Sequence, residues 1–184
     1  MQCASLASEK GAACVEVTMN GQDYTADCAA FTAVDAAALD SISPSSGPVE
    51  GGTLVTLQGQ LAGGVDYRCR FRHGGFDDVT ATVAGSYRPL GSVGCLSPAV
   101  SGAQAWQQVQ LSTNGQQYTA ALAFHAYPAP VMLGIAPRTG PTGGATLVTI
   151  VGDSLALGSH RLCMFGEHVV PATVTADGAL NCTS

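Results

Sequence analysis

Seven cysteines, at positions 3, 14, 28, 69, 95, 163 and 182, carry most of the chemistry this sequence could do. Thiols in such number either hold a soft metal or oxidise in pairs. A structural zinc site needs four convergent ligands at close spacing. No Cys-x-x-Cys step occurs, and the four histidines, at 73, 125, 160 and 168, are scattered. Disulfide formation is therefore the expected chemistry, and it implies an oxidising, extracellular route. An odd cysteine in such a framework pairs outside its own segment or stays a free thiol.

Catalysis would require a nucleophile with its base, a carboxylate pair or a metal set. None of these constellations is legible, so no enzyme activity, no metal site and no cofactor is expected. Gly51-Gly52 and Gly143-Gly144 could be taken for fragments of a phosphate loop, but no Lys-Ser/Thr follows and a strand pattern comes next. Turn geometry explains them better. Glu50 sits in the same loop, where a later copy has Gly143. Asp77-Asp78, after His73-Gly74-Gly75, reads as a solvated loop rather than a cation site.

Arg68, Arg70 and Arg72 alternate with Cys69 and Phe71, so period-two geometry puts three guanidinium groups on one face while Cys69 and Phe71 point inward. Arginine forks suit carboxylates, which makes this strip a candidate contact for acidic glycans or an acidic neighbour. The alternative, and the preferred reading, is a solvated strand face balanced by Asp66, Asp77 and Asp78. Trp106 is the only tryptophan and is expected to pack against an edge of the fold, with sugar stacking as the alternative. Asn181-Cys182-Thr183 is a formal N-glycosylation acceptor at Asn181.

Composition narrows the class. Of 184 residues, 46% are hydrophobic and 11% are charged, with 23 glycines and 9 prolines, a balance that favours turn-rich β structure. Seven basic residues against thirteen acidic ones give a net charge of −6, opposite in sign to the footprint of a nucleic-acid binder. No apolar run approaches the about 18 residues of a membrane span, so membrane insertion is not expected.

The elements that must position these residues come from a repeat. Ser43 to Leu57 lies over Ala136 to Ile150, placing Pro44 on Pro137 at an offset of 93. Asn20-Gly21-Gln22 matches Asn114-Gly115-Gln116, and Cys69-Arg70-Phe71 matches Cys163-Met164-Phe165, both at an offset of 94. Three blocks sharing one period indicate a tandem array. Thr53, Val55 and Leu57 alternate between glycine breaks, which predicts a strand. Asn20-Gly21 and Asn114-Gly115 each lie between alternating runs and predict β-hairpins with type I′ turns. Ala29 to Leu39 is alanine-rich, but its repeat partner ends in a strand-like Phe124-His125-Ala126-Tyr127, so a strand is expected there too.

The phase of the repeat divides the chain into a back half of a domain at 1–38, a complete domain at 39–130 and a front half at 131–184. Cysteines follow the same phase. Cys69 and Cys95 occupy the places of Cys163 and Cys182, so one bridge within each copy is the economical pairing, while Cys14 and Cys28 flank the Asn20 turn. Cys3 is left over for an intermolecular bond or an unpaired thiol. Two explanations stand for the partial ends: an excerpt of a longer array, or a subunit whose front half completes the back half of the next chain.

Leu39-Asp40-Ser41-Ile42-Ser43-Pro44 with Gly51-Gly52-Thr53-Leu54-Val55-Thr56-Leu57, followed by Cys69-Arg70-Phe71, Cys95-Leu96-Ser97-Pro98 and the Asn114 hairpin, resembles the IPT/TIG domain family. The resemblance implies an all-β fold of tandem immunoglobulin-like sandwiches, each made of two packed sheets. That family serves receptor ectodomains, surface-enzyme accessory modules and parts of transcription factors, so function has to come from sites. The expectation is a non-enzymatic extracellular structural protein, glycosylated and joined head to tail to identical chains or adjacent repeats in a filament or surface coat. The alternative is a receptor or adhesin ectodomain binding a protein or glycan.

Overall fold

Strand propensity and glycine punctuation dominate the local structure throughout. The computed structural model describes residues 5, 10–61, 63–73, 79–101 and 105–184, and Cys3, Asp77 and Asp78 lie outside them. Every regular element among the described residues is a β-strand, so no helix there is long and apolar enough to cross a membrane. The chain divides into two units, Met1–Ala36 and Ala37–Ser184.

The first unit is a hairpin. Strands β1 (Gly11–Val15) and β2 (Ala29–Ala33) pair antiparallel, with Ala13 opposite Phe31 and Val15 opposite Ala29. Lys10 and Asp35 close the open end with an ion pair of 2.5 Å. The type I′ expectation fails, because only Gly21 takes a positive φ, 75°, and Asn20 does not. Asn20 instead accepts the backbone N–H groups of Gln22 and Asp23 on its Oδ1, at 3.0 and 2.9 Å. A side chain that caps its own loop removes the need for the mirror-image turn.

The second unit opens with a two-sheet sandwich. One sheet runs in the order β3 (Ala38–Ser43), β5 (Leu54–Gln60), β9 (Ser92–Leu96), β8 (Ser86–Arg88). The facing sheet runs β4 (Ser46–Pro48), β11 (Leu122–Tyr127), β10 (Ala105–Ser112), β6 (Arg68–His73), β7 (Val79–Ala84). Alternation delivers Val55, Leu57, Phe71, Val93, Val109, Leu111 and Phe124 to the space between them, and Phe71 meets Phe124 edge to face at 6.2 Å. Gly51 and Gly52 both sit at φ 78°, forming the turn into β5. A Cβ on Gly51 would lie 2.6 Å from the Ala99 amide nitrogen, so close approach as well as backbone sign requires glycine.

The remaining strands repeat part of this plan. They are β12 (Val131–Ala136), β13 (Leu147–Asp153), β14 (Leu162–Phe165), β15 (His168–Pro171), β16 (Thr173–Val174) and β17 (Leu180–Thr183). The sheet β12-β13-β17-β16 reproduces β3-β5-β9-β8, and the pair β14-β15 reproduces β6-β7. Even the irregularities recur. The bulge between Leu39 and Ser41 reappears between Met132 and Gly134, and in both copies the opposite glycine, Gly59 or Gly152, has a backbone carbonyl where a Cβ would go.

Candidate functional site

Three disulfides set the framework. Cys69 on β6 joins Cys95 on β9, with Cα atoms 6.4 Å apart, and both are buried. The bond pins one sheet of the sandwich to the other. Cys163 on β14 joins Cys182 on β17 in the corresponding place, at 6.3 Å. Cys14 and Cys28 close the first hairpin at 5.2 Å. No group of three or more histidine, cysteine or acidic side chains is placed to hold a metal ion among the described residues.

The three arginines of β6 lie along the strand opposite β10, while Cys69 and Phe71 are buried between the sheets. Their guanidinium groups have separate partners. Arg68 Nε donates to both Asp66 oxygens, at 3.0 and 2.9 Å, and this carboxylate raises the Arg68 pKa above its usual value. Arg70 forks onto Gln110 Oε1 and stacks over the Tyr118 ring, 3.7 Å from its centre. Arg72 keeps a buried Nε with no hydrogen-bond partner among the described residues. Two of the three guanidinium groups thus already have side-chain partners. Asn181 sits on β17, flanked by the buried Leu180 and Cys182, and its Oδ1 accepts from Thr149 Oγ1 at 2.8 Å. That bond leaves Nδ2, the atom a glycan would take.

Trp106 departs from its expected packing. Its side chain is 67% exposed and stacks on His125, directly opposite it across β10 and β11, with ring centres 4.5 Å apart. Tyr127 continues the row at 6.4 Å from His125. Neither His125 nor Tyr127 is singled out by sequence spacing, because they become neighbours of Trp106 only through the pairing register.

Two apolar surfaces remain. Val15, Val17 and Phe31 of the first unit are 50%, 46% and 43% exposed. Their repeat counterparts Val109, Leu111 and Phe124 are 0%, 0% and 1% exposed, packed inside the sandwich. In the second unit, Met132, Ile135, Ile150, Leu162 and Phe165 line an open cleft of about 460 Å³. Its floor corresponds to the sheet surface that β10 and β11 cover in the sandwich. The edge of β14 also differs from that of β6: β6 pairs with both β7 and β10, whereas β14 pairs only with β15 among the described residues.

Comparison with known proteins adds four findings. Residues 37–126 match the IPT/TIG domain. The chain is 31% identical over 144 residues to rat (Rattus norvegicus) Plexin-B3, a match that covers 72% of this chain and 7% of that protein. It is 30% identical over 133 residues to zebrafish (Danio rerio) Plexin-A4, covering 70% of this chain and again 7% of the relative. The solved extracellular region of Plexin A4, domains 1 to 10, superimposes with a TM-score of 0.58 at 17% identity, over 96% of this chain and 15% of that one. The chain therefore spans a small fraction of the relatives it matches.

Proposed function

We propose, from the premise that residues 37–126 of this chain are an IPT/TIG domain, that it is a non-enzymatic module of a linear extracellular array whose sandwiches are completed by strands from their neighbours. Its place is outside the cell or on the cell surface, in keeping with the disulfides and the plexin extracellular relatives. Residues 1–38 act as the back half of a sandwich, 39–130 as a whole one and 131–184 as a front half. The hairpin β1-β2 of one chain seats in the open cleft of the next, head to tail, extending the sheet from the edge of β14. Asn181 carries a glycan on the outer face.

One observation carries the reading: the same core-facing side chains are buried at Val109, Leu111 and Phe124 and bare at Val15, Val17 and Phe31. Burying the three bare side chains is worth on the order of 1.5–3 kcal/mol each when complete, enough to drive association. Sedimentation velocity of the whole chain tests this. Species should grow with concentration, and the double change Val15→Asp with Phe31→Asp should remove them. A chain that stays monomeric up to about 1 mM overturns the head-to-tail reading.

The extent of the plexin matches favours a second reading, in which the module is one stretch of a receptor ectodomain and the completing hairpin belongs to the same polypeptide. A second copy of residues 98–128 appended after Ser184, which already holds the place of Ser97, separates the two. If the cleft is the seat, the appended hairpin abolishes assembly and raises stability. Under the receptor reading stability rises in the same way, and the chain is monomeric both before and after the addition.

A further inference from the structure

Beside the aromatic row lies a second, smaller cleft, and the geometry points to a binding site there for an acidic sugar residue of a glycan. The cleft holds about 360 Å³, at the lower end of the roughly 300–1,000 Å³ of small-ligand sites. Trp106 and His125 form one wall, Ser45 and Ser46 a second, and Ser159 and Arg161 a third.

The walls are fixed in advance. The Ser159 amide donates to Ser46 Oγ at 2.7 Å, tying the loop before β14 to the start of β4. Arg161 Nη1 donates to the carbonyls of Ala156 and Gly158, which holds the guanidinium plane at the rim. Its remaining N–H groups take no protein partner among the described residues. Trp106 is backed by His125, with ring centres 4.5 Å apart. A site whose walls are already ordered loses little entropy when it binds.

Chemistry selects the ligand. A pyranose ring has an apolar C–H face that suits the face of an indole and a rim of hydroxyls that suits serine, histidine and arginine. The chain has thirteen acidic residues against seven basic, yet among the described residues no acidic side chain lines this cleft while Arg161 and His125 do. A free guanidinium fork in that setting matches a carboxylate, so the sugar is a uronate or a similar carboxylated pyranose. A protein partner would instead need a broader apolar surface around Trp106, whereas Ala123, Ala156 and Leu157 are the small apolar share of a lining that also holds three serines, His125 and Arg161.

Because Trp106 is the only tryptophan, its fluorescence reports this site alone. The test titrates the whole chain with trigalacturonate and, in parallel, with the neutral galactotriose. Trigalacturonate should change the emission saturably, and the neutral sugar should bind at least about tenfold more weakly, the loss expected for a charged hydrogen bond. Arg161→Gln should bring the two sugars to equal, weak affinity. Trp106→Ala, followed by calorimetry, should lose binding while the far-ultraviolet circular dichroism stays unchanged. No saturable change with either sugar in the folded protein overturns the site. Equal binding of both sugars overturns the role of Arg161, and in a third titration, with hexaglutamate, a response to the peptide but to neither sugar overturns the glycan in favour of a protein.

Discussion

The hairpins β1-β2 and β10-β11 share one design and differ in surroundings. Both turns use the same hydrogen bonds: Thr25 N to Val17 O and Thr119 N to Leu111 O, each 2.9 Å. Asn20 and Asn114 each cap their loops from Oδ1, and Nδ2 reaches Asp23 in one and Gln117 in the other. Yet β10-β11 lies inside a sheet while β1-β2 is a two-stranded unit, a form only marginally stable in water. The lone hairpin has a disulfide, Cys14–Cys28, where the enclosed one has none. Local hydrogen bonding is written into a short segment, but burial has to be supplied by a partner, and a covalent bond takes its place where that partner is not at hand.

That contrast breaks most clearly at its matched phenylalanines. Phe124→Ala should destabilise the second unit by about 3–5 kcal/mol in chemical denaturation. Phe31→Ala should leave that transition within about 0.5 kcal/mol, the range of exposed positions. Equal effects would show that the two hairpins share one environment.

The disulfides sharpen the same comparison. Replacing Cys69 and Cys95 together with alanine should cost about 2–5 kcal/mol of global stability, because the bond links the two sheets across the core. Replacing Cys14 and Cys28 should leave the main unfolding transition in place and speed protease cleavage between residues 10 and 35. A shift of the main transition by the second pair would join the hairpin to the sandwich as one cooperative unit.

A smaller effect is expected at the paired glycines. Gly51→Ala meets both the positive φ and the backbone of Ser97 to Ala99, whereas Gly52→Ala meets the positive φ alone. The loss for Gly52 should be about 1 kcal/mol, with Gly51 the larger by thermal melting. The smallest effect on stability belongs to Asn181→Gln, which should remove a glycan-sized mass from protein secreted by a eukaryotic host and shift the melting temperature little. Its outward position on β17 places the change away from the core.

Most of the fold is legible in the sequence. The repeat made Ala29–Ala33 a strand against its alanine-rich composition, and alternation placed Cys69 and Phe71 inward. The hairpins are legible too, but the turns depart from type I′, since Asn20 and Asn114 cap their own loops from Oδ1 and take no positive φ. The candidate binding features were less legible. Arg68, Arg70 and Arg72 are neighbours in the pattern, but whether each fork is free depends on Asp66, Gln110 and Tyr118. Gln110 and Tyr118 reach the strip through the pairing of β6 with β10 and the turn beyond it.

By itself the sequence determined what repeats at short range: strand periodicity, the glycine turns, the capped asparagine loops and the spacing of the cysteines. Each depends on the dihedral preferences and hydrogen bonds of a few adjacent residues. Only the tertiary structure decided which of two equivalent side chains is buried, that Trp106 stands on His125 in the open, and that Ser46 and Ser159, 113 residues apart, close one cleft. Burial and convergence are properties of surfaces meeting through space, and no local preference specifies what arrives on the other side.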